Sequence, residues 1–146
     1  MFEEKIERQK KLYAVKVNPF EIENKDAKTY WLGKEVFALQ ASLMSYDEGK
    51  TFPTHKHKEN PRIVQRNQEA FIVISGKIKV TIYHEDTSPN GIPVPLGALE
   101  ASAGQMIMVF RGYHKLEMLE KTKCYEVKTG PMINEVVEDD KELLND

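Results

Sequence analysis

The sequence predicts an all-β fold, on three observations. After Asn18-Pro19 the chain runs as short stretches of two-residue alternation separated by Gly, Pro, Asn and Asp, the pattern of a β-sandwich or barrel. The clearest stretch, Lys77-Ile78-Lys79-Val80-Thr81-Ile82-Tyr83, places Ile78, Val80 and Ile82 on one face and Lys77, Lys79 and Thr81 on the other. A strand so patterned has one buried and one wet face. Helical periodicity is weak and confined to the two ends.

Taken in order, Glu3 to Tyr13 sets Ile6, Leu12 and Tyr13 among charges, which reads as a short N-terminal helix or an arm. Strands are expected at Ala14–Val17, Thr29–Leu32, Val36–Tyr46 (whole or broken), Thr51–His57, Ala70–Ile74, Lys77–His84, Val94–Ala101, Met106–Phe110, His114–Leu119 and Cys124–Thr129. Ser75-Gly76 joins two of them, and a Gly there supplies the positive φ of a tight hairpin turn. Asp86-Thr87-Ser88-Pro89-Asn90-Gly91 is a loop of turn-favouring residues. The tail from Asn134 to Asp146 is acidic, with Val136, Val137, Leu143 and Leu144 spaced for a short helix or belonging to a frayed end. No internal repeat or second domain is evident. Residues 1–34 form an N-terminal arm and first strands, 35–130 the β body, and 131–146 the acidic tail of one structural domain.

Composition narrows the class. A chain of 146 residues suits one domain with a real core. Hydrophobic residues at 40% and charged residues at 30% are ordinary for a soluble globular protein. A net charge of −2 gives no global attraction to nucleic acid or an anionic membrane. The single cysteine, Cys124, allows no intrachain disulfide and fits a reducing compartment. The charged start, Met1-Phe2-Glu3-Glu4-Lys5, is not that of a secretory signal, and no apolar run approaches the ~20 residues of a membrane span. The expectation is a cytoplasmic protein that binds neither nucleic acid nor membrane.

The chemistry gathers around histidine. Of the four histidines, two form His55-Lys56-His57; on a strand, residues i and i+2 share a face, so both imidazoles can reach one point. Alone, such a pair is more often structural than functional. Its surroundings change the reading. Gly49 precedes His55 by five intervening residues, and Glu69 is followed by six residues and then Gly76, which heads the alternating strand. Gly104 opens a second block, Gln105-Met106-Ile107-Met108-Val109-Phe110-Arg111-Gly112-Tyr113-His114. These blocks resemble the two signature motifs of the cupin superfamily, in the right order, over about Val36 to Thr129. Three departures stand out: a long gap between His57 and Glu69, Phe110 where the motif has proline, and Tyr113 alone between Gly112 and His114. Because of the long gap, Glu59 or Gln68 competes with Glu69 for the carboxylate's place.

What the resemblance implies is a cupin double-stranded β-helix, or jelly-roll barrel, over 35–130. It makes His55, His57, Glu69 and His114 the ligands of a divalent transition metal such as Zn, Fe, Mn or Ni. Three imidazoles and a carboxylate leave positions open on a six-coordinate ion for water or substrate oxygens; the competing reading is a cupin fold with an empty site. Gln68 to Gly76 and Glu126-Val127-Lys128-Thr129-Gly130-Pro131 look like small single-domain (RmlC-like) cupins associated with sugar-nucleotide and surface-polysaccharide biosynthesis. Cupins commonly pair, so a homodimer is expected, with the N-terminal strand a candidate for exchange.

If Glu69 faces inward, Phe71 and Val73 share its face, as Leu116 and Met118 share that of His114. Met106 and Met108 are expected to fill the barrel. Lys56, Lys58, Arg62, Arg66 and Arg111 make a basic rim suited to an anionic ligand, or an ordinary solvated loop. Tyr113 and Glu126 are the candidates for acid–base catalysis, and Glu117 falls on the opposite face from His114. His84, beside Glu85-Asp86, reads as a plain surface histidine. The leading expectation is a metal-binding enzyme, of isomerase or epimerase type, on a small anionic or sugar-like substrate. An iron-dependent dioxygenase and a non-catalytic ligand-binding cupin are the alternatives.

Overall fold

The computed structural model describes residues 2–22, 28–32, 38–130 and 142–144. Among them the chain is all-β, every ladder antiparallel, apart from one 3₁₀ turn at Pro19–Glu21. No helix among the described residues is long and apolar enough to cross a membrane.

The N-terminal helix or arm is instead a β-hairpin. Strand β1 (Glu3–Arg8) pairs with β2 (Lys11–Val17) across a turn in which Gln9 and Lys10 have φ of 50° and 61°. Positive φ at both central residues is type I′ geometry, which matches the twist of the flanking strands. The charges that looked helical are the wet positions of an edge strand. Left-handed backbone costs a non-glycine residue about 1 kcal/mol, so Gln9→Asn with Lys10→Gly is expected to stabilise the protein by roughly that amount. The reading is a higher denaturant midpoint at unchanged slope.

The register of β1 on β2 skips Tyr13, passing from Ile6↔Ala14 to Glu7↔Leu12. This bulge sends Tyr13 and Ala14 into one hydrophobic cluster and Leu12 and Val15 into another. The clusters lie on opposite faces of a five-stranded sheet ordered β1, β2, β8 (Met106–Val109), β5 (Glu69–Ser75) and β10 (Lys123–Lys128). The inner face packs Tyr13, Phe71, Val73 and Ile107 on Ile78, Val80, Ile82 and Leu99 of a three-stranded sheet ordered β7 (Pro95–Ser102), β6 (Lys77–Tyr83) and β9 (His114–Met118). The outer face packs Val15, Met108 and Phe110 under the hairpin of β3 (Lys28–Leu32) and β4 (Ala41–Ser45), through Leu32 and Ala41. Ile107, Met108, Val109 and Phe110 are therefore all buried, since β8 is covered on both faces. Met106 and Met108 fill the outer cluster, not the space between the two larger sheets.

Further differences from expectation have physical causes. Gly76 has φ of 84°, but its turn is not a hairpin, because β5 and β6 belong to different sheets. It is a corner, packed so tightly on Lys121 and Thr122 that a Cβ would lie 2.5 Å from their oxygens. Thr51–His57 is an exposed segment without a ladder among the described residues, and Pro53 offers no N–H. The stretch Val36–Tyr46 contributes only β4, with 36 and 37 outside the described residues. Most of the tail, 131–141, also lies outside them, and 142–144 is irregular. The sheets are not closed into a barrel.

Candidate functional site

The open side of the sandwich makes the site. On the side of β1 and β7, Ile6 lies over Gly97, where an added Cβ would come within 3.3 Å of its Cδ1. On the other side, the edge strands β9 and β10 leave a cleft of about 610 Å³. Glu69 opens β5, and its cross-strand partners Val109 and Lys128 line the same cleft. Two residues along, Phe71 faces Glu126 across the ladder and extends that lining inward.

His114 opens β9 opposite Ile82, and Leu116 follows it into the cleft. Its placement depends on the turn before it. Gly112 has φ of 81°, and a Cβ there would stand 2.2 Å from the Tyr83 carbonyl oxygen and about 3 Å from the Tyr13 ring. Hydrogen bonds from Tyr83 N to Tyr113 O and from Phe110 N to Tyr13 O, both 2.8 Å, pin the turn on either side.

His114 Nε2 is in direct contact with Glu69 Oε1, with side chains 30% and 16% exposed. A carboxylate there accepts from Nε2–H, which fixes the imidazole's orientation and tautomer. The Phe71 ring lies 6.4 Å from that of His114. Of the three residues that competed for the carboxylate's place, Glu69 is the one that meets His114. Gln68 is buried and spends its amide on Leu39 N (2.9 Å) and Phe110 O (3.4 Å), and Glu59 is exposed on the loop.

Tyr113 and Glu126 both line the cleft. The Tyr113 hydroxyl donates to Glu142 Oε1 at 2.9 Å, and this hydrogen bond pushes its pKa above the ordinary phenol value. Tyr113 therefore stays protonated and serves as a donor. Glu117 turns to the outer face, 3.9 Å from Lys79 Nζ.

One cluster joins Arg66 and Arg111 of the expected basic rim to Lys11 and Glu85, which the sequence did not single out. Glu85 lies in the cleft wall and accepts from Lys11 Nζ at 2.8 Å, with Arg66 Nη2 at 3.4 Å and Arg111 Nη1 at 4.0 Å from its other oxygen. Lys11 and Glu85 are 74 residues apart, a separation that no local motif reads. His84 beside it accepts from Asp86 N at 3.0 Å and lies 5.9 Å from the Tyr13 ring. The Lys11 hydrogen bond, with the charges of Arg66 and Arg111, holds the Glu85 carboxyl below its ordinary 4.5. A lowered folded-state pKa contributes stability that is complete above the unfolded value and is lost as pH falls through the folded one. Glu85→Gln is thus expected to be less stable than the parent at pH 7, the gap closing progressively below about pH 4.5, as read by denaturant titrations across pH.

His55 and His57 lie elsewhere. Their rings are 5.4 Å apart on the exposed loop, and His55 Nδ1 is 2.8 Å from Pro53 O. Neither lines the cleft. The structure brings Glu69 to His114 and His55 to His57, but does not bring the two pairs together. Among the described residues no group of three or more His, Cys, Asp or Glu is placed to hold a metal ion. The four ligands implied by the cupin resemblance thus stand as two pairs, Glu69 with His114 and His55 with His57.

The fold and site define an all-β sandwich with an imidazole–carboxylate pair in an open lateral cleft. Comparison with known proteins finds no matching family model, no matching curated protein and no matching solved structure.

Proposed function

We propose that this chain is a small single-domain cupin-type enzyme that moves a proton on a small anionic or sugar-like substrate, as an isomerase or epimerase does. The observation that carries the reading is the contact of His114 with Glu69 in a cleft that also holds Tyr113 and Glu126. A positioned imidazole–carboxylate pair can take a proton from a carbon beside a carbonyl. The Tyr113 hydroxyl, whose one proton goes to Glu142 Oε1, can donate to the carbonyl oxygen only where that oxygen replaces Glu142 as the acceptor. Phe71, Val109 and Leu116 give the cleft an apolar wall, as small-molecule sites commonly have. The order of the motif blocks and the two stacked antiparallel sheets favour a jelly roll as the underlying topology.

The test begins with a thermal-shift screen of sugars, sugar nucleotides and small carboxylates. Each stabilising compound is then incubated with the protein in D2O. Solvent deuterium appearing at one carbon, and failing to appear with His114→Gln, is the expected result. Stabilisation without exchange for every compound would show a ligand-binding protein instead. The metal reading of the resemblance is tested separately, on protein purified without added metal. Less than about a tenth of an equivalent, with no binding on titration, would remove it.

A further inference from the structure

We propose that Arg66 and Arg111 form an oxyanion anchor in the cleft, holding a carboxylate or phosphate group of the ligand whose reacting carbon faces Glu69 and His114. This rests on the cleft being the ligand site. Arg111 is inserted in the turn between β8 and β9, its side chain 15% exposed and its guanidinium 5.9 Å above the Tyr13 ring. Its Nε is cut off from solvent and has no hydrogen-bond partner, the one such side-chain atom among the described residues. A buried N–H left without an acceptor is costly, and since Nε itself is out of reach, the Nη groups of the fork are left to meet an incoming oxyanion.

The charges around it point the same way. Three cations, Lys11, Arg66 and Arg111, converge on the single carboxylate of Glu85, and the two arginines reach it only at 3.4 and 4.0 Å. Their forks are held in place by Glu85 without being saturated by it. Of the other carboxylates that line the cleft, Glu69 is engaged with His114 and Glu142 with Tyr113, while Glu126 stands on β10 across from Phe71. Arg66 and Arg111 also line an adjoining cleft of about 320 Å³, so an oxyanion can be met from either space. Guanidinium forks match both carboxylate and phosphate oxygens bidentately.

Calorimetric titration with inorganic phosphate, and with malonate in a separate arm, tests the anchor and tells the two oxyanions apart. Saturable binding of at least one probe is expected. Arg111→Lys, which keeps the charge and loses the fork, is expected to weaken it about ten-fold, or ~1.4 kcal/mol. Arg66→Ala, at a side chain 52% exposed, is expected to do the same. Lys79→Ala removes one positive charge from the outer face and is expected to stay within about two-fold. No saturable binding of either probe, or equal weakening by all three variants, would overturn the anchor. Deuterium exchange without anion binding removes the anchor and leaves the acid–base reading. Anion binding with no exchange on any compound does the reverse.

Discussion

Replacing Gly112 by alanine is expected to lower the unfolding free energy by about 3 kcal/mol, a large share of the 5–15 kcal/mol typical of a domain. Two costs combine. The backbone at φ 81° costs an alanine about 1 kcal/mol or more. The added Cβ would meet Tyr83 O at 2.2 Å and the Tyr13 ring at about 3 Å, and relieving such overpacking costs a further 1–3 kcal/mol. Gly91 separates these terms, because it has φ of 73° but nothing within 4 Å of an added Cβ. Gly91→Ala is therefore expected to cost only about 1 kcal/mol. Equilibrium denaturation of the two variants measures the difference; equal losses would mean that Tyr83 and Tyr13 do not confine the turn. Because Gly112 sets the approach to His114, ligand stabilisation is expected to fall with Gly112→Ala and not with Gly91→Ala.

The second large effect is expected at the His114–Glu69 pair. On whichever compound shows deuterium exchange, His114→Gln is expected to lower kcat by about 10²–10⁴-fold, the usual contribution of a positioned general acid or base. Glu69→Gln is expected to act through His114, by removing the acceptor that orients its ring. Glu69→Asp is expected to restore part of the rate lost in Glu69→Gln, since it keeps the charge while shortening the reach. Glu117→Gln supplies the internal comparison. It sits on the same strand, but its side chain meets Lys79 on the outer face, so kcat is expected to stay within about two-fold. A loss at Glu117 as large as at His114 would show that the variants report on the integrity of β9 and not on chemistry.

Much of the strand framework was legible because burial on one face imposes a period of two. Lys77–Tyr83 alternates strictly, and the structure buries Ile78, Val80 and Ile82 and leaves the intervening residues part-exposed. The N-terminal hairpin was not legible. Gln9-Lys10 lacks the Asn-Gly signal of a type I′ turn, and the bulge at Tyr13 breaks the alternation of β2. Thr51–His57 shows the opposite error, for among the described residues its apparent strand has no partner to supply a ladder.

For the site, the sequence by itself determined the all-β class, a strand over Ala70–Ile74 that begins just after Glu69, and a glycine, Gly112, shortly before His114. These depend on periodicity and on backbone φ, which neighbouring residues dictate. Only the tertiary structure decided that Glu69 and His114 meet, that His55 and His57 stay on an exposed loop apart from them, and that Lys11, Arg66 and Arg111 gather on Glu85. Those contacts join residues from separate strands and loops. They follow from which edges of the two sheets close over Ile6 and which stay open, a packing outcome that no local pattern encodes.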